Sequence, residues 1–174
     1  ANISKYAKEN QSLQIPSKNE NRVVFMGNSI TEGWKTHDPD FFLKNKYINR
    51  GIGGQTTSQM VVRFRPDVIA LKPKLVVILA GINDIAQNNG PIELQDIFGN
   101  IVSMSELAKA NNMRVILSSV LPANDFPWKK GMEPAEKVIK LNAMLEKYCL
   151  GSNIAFVNYY PKMVDSQKGL DKKY

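Results

Sequence analysis

The chain has 174 residues, 43% of them hydrophobic and 22% charged, which is enough for one domain with its own core and argues against disorder. Its longest apolar run, Leu75 to Ala80, is too short to span a bilayer, and its one cysteine, Cys149, excludes an internal disulfide or a Cys-rich metal site. The net charge of +7 comes from lysines scattered singly and in pairs, with no basic helix face, which argues against a nucleic-acid partner.

Residues 1–21 read as a polar flanking segment with a short helix over 3–10. A start at Ala1 rather than methionine fits either a mature chain after export or an arbitrary boundary. From Arg22 onward apolar runs alternate with helical patterns. Strands are expected at 22–26, 47–50, 75–79, 114–118 and 154–158, and helices at 57–71, 91–111 and 134–150. In the second helix Ile97, Ile101, Met104, Leu107 and Ala108 recur at helical spacing, and Pro91 suits its first turn. In the third, Val138, Leu141, Leu145 and Tyr148 form the apolar stripe, and Glu136 with Lys140 offers an i,i+4 pair. Cys149, near the end of that helix, reads as a small core residue. The alternation predicts a three-layer α/β/α domain over 22–174, built on a five-stranded parallel sheet. All strand C-termini then share one edge, with residues 124–132 as a long loop there.

Three segments follow consecutive strands and therefore share that edge. In Gly27-Asn28-Ser29-Ile30-Thr31 a serine stands at the tip of a buried strand, where the next helix begins. Its N–H lies at the positive end of that helix, a placement that suits a nucleophile. In Gly51-Ile52-Gly53-Gly54-Gln55 the glycines permit a bare backbone whose N–H groups can receive partial negative charge. In Gly81-Ile82-Asn83-Asp84 the Asn83 amide can supply a side-chain donor, and Asp84 can cap the turn that follows. Taken one at a time, each segment is also compatible with an ordinary turn or helix cap.

In this order the three motifs resemble the first three sequence blocks of the SGNH hydrolases, the GDSL-like lipase and acylhydrolase superfamily. The resemblance implies a flavodoxin-like fold and a serine esterase that needs no metal or other cofactor. It implies Ser29 as nucleophile, and an oxyanion hole built from the Ser29 and Gly54 N–H groups and the Asn83 side chain. Asn28 stands where the family name has aspartate. The family's Asp-x-x-His, which supplies the general base, has no counterpart here. The only histidine, His37, lies eight residues past Ser29, about 12 Å along a helix, and reads as an exposed loop residue.

The expected partner is a small-molecule ester, with short acyl groups favoured because no long apolar groove is evident. Asn28, Trp34, Ile52, Ile85, Phe126 and Trp128 are the candidate pocket residues, since all lie in or near the edge loops. Phe41-Phe42 reads as a helix anchor. No long helix is expected after residue 158, so one face of the sheet should be partly bare, and the catalytic block is expected to lie beyond Tyr174. The competing reading is a non-catalytic carbohydrate-binding domain on the same fold.

Overall fold

The computed structural model describes residues 1–174. A parallel sheet is formed by β1 (Val23–Gly27), β2 (Ile48–Gly51), β3 (Leu75–Leu79), β4 (Arg114–Ser118) and β5 (Ala155–Val157), in the order β2-β1-β3-β4-β5. The helices are α1 (Ala7–Ser12), α2 (Ser29–His37), α3 (Pro39–Asn45), α4 (Thr57–Asp67), α5 (Ile82–Ile85), α6 (Leu94–Ala110), α7 (Ala135–Ser152) and α8 (Tyr160–Met163). No helix is long and apolar enough to cross a membrane. This is the α/β architecture expected from the alternating patterns.

The two sheet faces are filled differently. Val24 and Met26 of β1, Val76 and Ile78 of β3, and Val115 and Leu117 of β4 are buried in one continuous core. Into it α4, α6 and α7 bring Met60, Phe64, Ile101, Met104, Leu141 and Leu145. The alternate residues of each strand point to the other face, where Phe25 meets Trp34, Phe41 and Phe42 edge-on at 5.5–5.7 Å. Phe42 is buried, so α3 is anchored there as expected. Leu75, Val77 and Leu79 of the central strand are only partly buried on that face, where Val77 and Leu79 line an apolar cleft of about 160 Å³. After β5 the chain makes only the single turn of α8 and a Val164–Leu170 bridge.

Several boundaries differ from the sequence reading for local reasons. The expected helix over 57–71 divides into α4 and a 3₁₀ turn, Ile69–Leu71. Pro66 removes an N–H from the last turn of α4, and Val68 leaves helical geometry at φ −129°. Pro91 lies outside α6, which begins at Leu94 after an extended Glu93. Residues 3–6 form turns, so α1 starts at Ala7 instead of residue 3. Glu136 pairs with Lys168 at 2.5 Å rather than with Lys140.

Residues 1–21 are tied to the sheet edge. The Tyr6 hydroxyl donates to the Gly51 carbonyl at 2.5 Å, and the Arg50 guanidinium lies 4.6 Å from the Tyr6 ring centre. Burial, then the nearby Glu32 charge, pushes the Tyr6 phenol up to about 12. Asn10 accepts from Arg50 and donates to Asp67 at 2.8 Å.

Cys149 is 1% exposed on α7, and burial followed by the Glu146 charge pushes its thiol up to about 11. The thiolate is the reactive form, so native protein at pH 8 should resist iodoacetamide until it unfolds. Labelling in native buffer at the rate seen in urea would contradict this placement.

Candidate active site

At the first sheet crossing Gly27 and Gly51 are ladder partners. A Cβ on Gly51 would stand 2.2 Å from the Glu32 amide nitrogen and 2.8 Å from the Asn28 carbonyl oxygen. Only glycine therefore lets the first turn of α2 rest on the end of β2. Asn28 is fully buried and caps α2, its Oδ1 accepting from the Ile30 N–H at 3.0 Å, while its Nδ2 has no partner. Ser29 is the first residue of α2 and is exposed. Its N–H belongs to the first turn, whose donors a helix leaves free.

The glycine loop passes directly against this serine. A Cβ built on Gly53 would lie 3.7 Å from the Ser29 Cβ. The Gly53 N–H donates to Glu32 at 2.6 Å, and Glu32 is ion-paired with Lys5. Partial burial works to raise the Glu32 carboxyl, but the hydrogen bonds from Lys5 and Gly53 outweigh it and hold the group below its ordinary range. Gly54 is exposed in the left-handed region at φ +73°, and its N–H makes no backbone hydrogen bond. Its carbonyl accepts from Asn88 at 3.3 Å.

Gly81, at φ +119°, turns the chain from β3 into α5. Asn83 is 4% exposed and donates through Nδ2 to the Gln55 carbonyl at 2.9 Å. An amide nitrogen carries two hydrogens, so one remains after this bond. Asp84 does not cap its own turn as expected. Its carboxylate receives the Thr57 N–H at 2.9–3.0 Å and the Thr57 hydroxyl at 2.6 Å, and so caps α4 from a different segment. Burial raises its carboxyl above the ordinary range against the pull of those bonds. The glycine loop is thus held by both Asn83 and Asp84.

The candidate pocket residues divide sharply. Trp128 is 61% exposed, and its indole N–H points to Asn88 at 3.4 Å, beside the Gly54 carbonyl. Phe126 and Ile85 are buried in the main core instead, because the loop ends and the one-turn α5 fold inward over α6 and α7. Ile52 is buried beneath the loop. Trp34 stacks on Phe41 at 4.6 Å and lines the cleft on the α2 face, not the glycine loop. His37 is exposed at the last position of α2, in a helix rather than a loop and a full helix length from Ser29.

Buried groups around the site that the motifs did not single out are Gln55, Arg63 and Asp67. The signal for the last two was present, because positions 60, 63, 64 and 67 share one helical face on which Met60 and Phe64 are apolar. An opposite-charge pair set in that face belongs under the surface.

A family model described as the GDSL-like lipase/acylhydrolase family matches residues 25–174. The crystal structure of a candidate acylhydrolase from Bacteroides fragilis is 55% identical with a TM-score of 0.98, covering 99% of this chain and 84% of that one. A GDSL-like lipase from Bacteroides thetaiotaomicron is 54% identical with a TM-score of 0.97, covering 99% and 85%. Esterase TesA of Pseudomonas aeruginosa is 32% identical over 106 residues, 60% of this chain and 50% of TesA. The chain spans about a third to a half of the length of the curated relatives it matches. A model match that begins inside β1 and runs to residue 174 makes this chain a member of the GDSL-like lipase/acylhydrolase family.

Proposed function

We propose that the protein is a serine esterase that cleaves short-chain acyl esters through an acyl-enzyme on Ser29. The observation that carries this reading is the close approach of the glycine loop to Ser29, such that a Cβ on Gly53 would meet the serine, with Asn83 hydrogen-bonded to the same loop at Gln55. The Ser29 hydroxyl attacks the ester carbonyl and gives its proton to a general base. The oxyanion formed accepts hydrogen bonds from the Gly54 and Ser29 N–H groups and from the second Asn83 hydrogen. The alcohol departs with a proton, and water then releases the acid from Ser29.

No histidine stands at Ser29 among residues 1–174, and His37 is a full helix length away. The 174-residue chain should therefore hydrolyse p-nitrophenyl acetate barely above background. Turnover well above background that His37→Ala abolishes would assign the base to His37.

Short acyl groups are favoured because the glycine-loop side of the site is rimmed by Glu32, Lys5, Asn88 and Trp128, Phe126 and Ile85 being in the core. A p-nitrophenyl ester series from C2 to C12 tests this, with the maximum expected at the short end. A maximum at C8 or above sinks the preference. In the form of the protein that turns over p-nitrophenyl acetate a fluorophosphonate should label Ser29, and failure to label it there would defeat the esterase reading as a whole.

Asn83→Ala should lower kcat by roughly two to three powers of ten with KM changed less, the usual loss for one side-chain donor of an oxyanion hole. A rise in KM with kcat preserved would reduce Asn83 to a brace for Gln55.

A further inference from the structure

We infer that Arg63 is the positioning residue of the oxyanion hole and that it acts through Gln55. This rests on the esterase reading above and goes beyond it, because Arg63 lies under the site and meets no substrate. The side chain is 0% exposed, and its three bonded nitrogens reach three different groups. Nη2 donates to the Gly27 carbonyl at 3.0 Å, two residues before Ser29. Nε donates to Gln55 Oε1 at 2.5 Å, one residue after Gly54. Nη1 donates to Asp67 at 2.9 Å, one turn further along α4. A planar guanidinium holds these directions in a fixed fork, which a lysine ammonium cannot reproduce. The strand end that carries the nucleophile is thereby set against the loop that carries the Gly54 N–H.

Gln55 extends the effect to the third donor. Its carbonyl receives the Asn83 amide at 2.9 Å, and its side-chain nitrogen donates to the Ala1 carbonyl at 2.5 Å. Gln55 is therefore clamped at both its backbone carbonyl and its side chain, immediately after the glycine that carries the Gly54 N–H. A buried ion pair is no more stabilising than an apolar pair of the same shape, so stability alone does not account for an arginine here. Fixing the distance between Ser29 and its donors does.

The test uses the native protein with p-nitrophenyl acetate, reading kcat and KM alongside thermal unfolding. Ser29→Ala serves as the reference for turnover that belongs to this site. Gln55→Met removes the acceptor for Arg63 but leaves the Arg63–Asp67 pair and the Gln55 carbonyl in place. It should lower kcat about 10- to 100-fold with little change in KM, the scale expected for a displacement of up to an ångström. Gln55→Glu, which keeps an acceptor for Arg63, should retain most of kcat. Arg63→Lys should resemble Gln55→Met, and the double variant should fall no further than the worse single one. If Arg63→Lys does not fold, the two Gln55 variants decide the matter. Ser29-dependent turnover with wild-type kcat in folded Gln55→Met would overturn this inference alone. Turnover that survives Ser29→Ala would overturn the esterase reading and this inference together.

Discussion

Ser29→Ala should remove about four to six powers of ten from kcat in the form of the protein that turns over p-nitrophenyl acetate, as loss of the nucleophile does in serine hydrolases. The same change should hardly move stability. Ser29 is exposed, and the side chain that caps α2 is Asn28, through its bond to the Ile30 N–H. Alanine at the first helical position keeps the backbone N–H and good helix propensity. The serine would matter to stability only if its own oxygen closed the helix, and that role is already filled. Steady-state kinetics with a thermal melt separate the two cases. Lost turnover with an unchanged melting temperature fits a nucleophile, whereas a lowered melting temperature with activity retained fits a structural serine. The effect should exceed that of Asn83→Ala, because losing one oxyanion donor leaves the covalent route open.

Asp67→Ala should destabilise the fold by about 3–5 kcal/mol, as removal of one partner of a buried ion pair does. Asp67 and Arg63 are 1% and 0% exposed at a separation of 2.9 Å, so the stranded guanidinium gains no water. The Asn10 amide, which donates to the other Asp67 oxygen at 2.8 Å and to the Pro66 carbonyl at 3.1 Å, loses the first of these acceptors as well. For a chain of this size the melting temperature should drop by roughly 10 °C or more. Urea denaturation checks the figure, and Asp40→Ala is the internal comparison. The Asp40–Lys44 pair has the same i,i+4 spacing at 2.7 Å but is well exposed, and its loss should leave the midpoint where it was. Equal effects at the two sites would mean that burial does not govern the Arg63–Asp67 pair. The double variant Asp67→Ala/Arg63→Met should recover much of the loss, since no unpaired charge then remains.

Much of this architecture can be read from local pattern. The strands at 75–79 and 114–118 agree with the structure residue for residue, because continuous β-branched and leucine runs bounded by Lys74 and by the loops after Leu79 and Ser118 have no competing helical period. The three long helices are legible from their apolar stripes, and their ends less so. Pro91 suits a first turn, but the fully buried stripe starts with Ile97, and Glu93 stays extended. The short helices α3, α5 and α8 span no more than two turns, too few for a period to declare itself.

At the candidate site the order of Ser29, Gly54 and Asn83 along the chain is enough to align them on one sheet edge, because parallel strands end on the same side. The alternating patterns therefore determined the fold class, and the resemblance carried by the three motifs pointed to the family and to the three groups on which the esterase proposal rests. What each polar group does there was decided by tertiary structure alone. Asp84 caps α4 instead of its own turn, Phe126 and Ile85 leave the rim for the core, and Arg63 and Gln55 join loops that lie far apart in sequence. The reason is geometric. Periodicity encodes which face of an element is apolar, whereas a hydrogen bond needs two groups within about 3 Å, and that separation exists only after the sheet has brought its loops together.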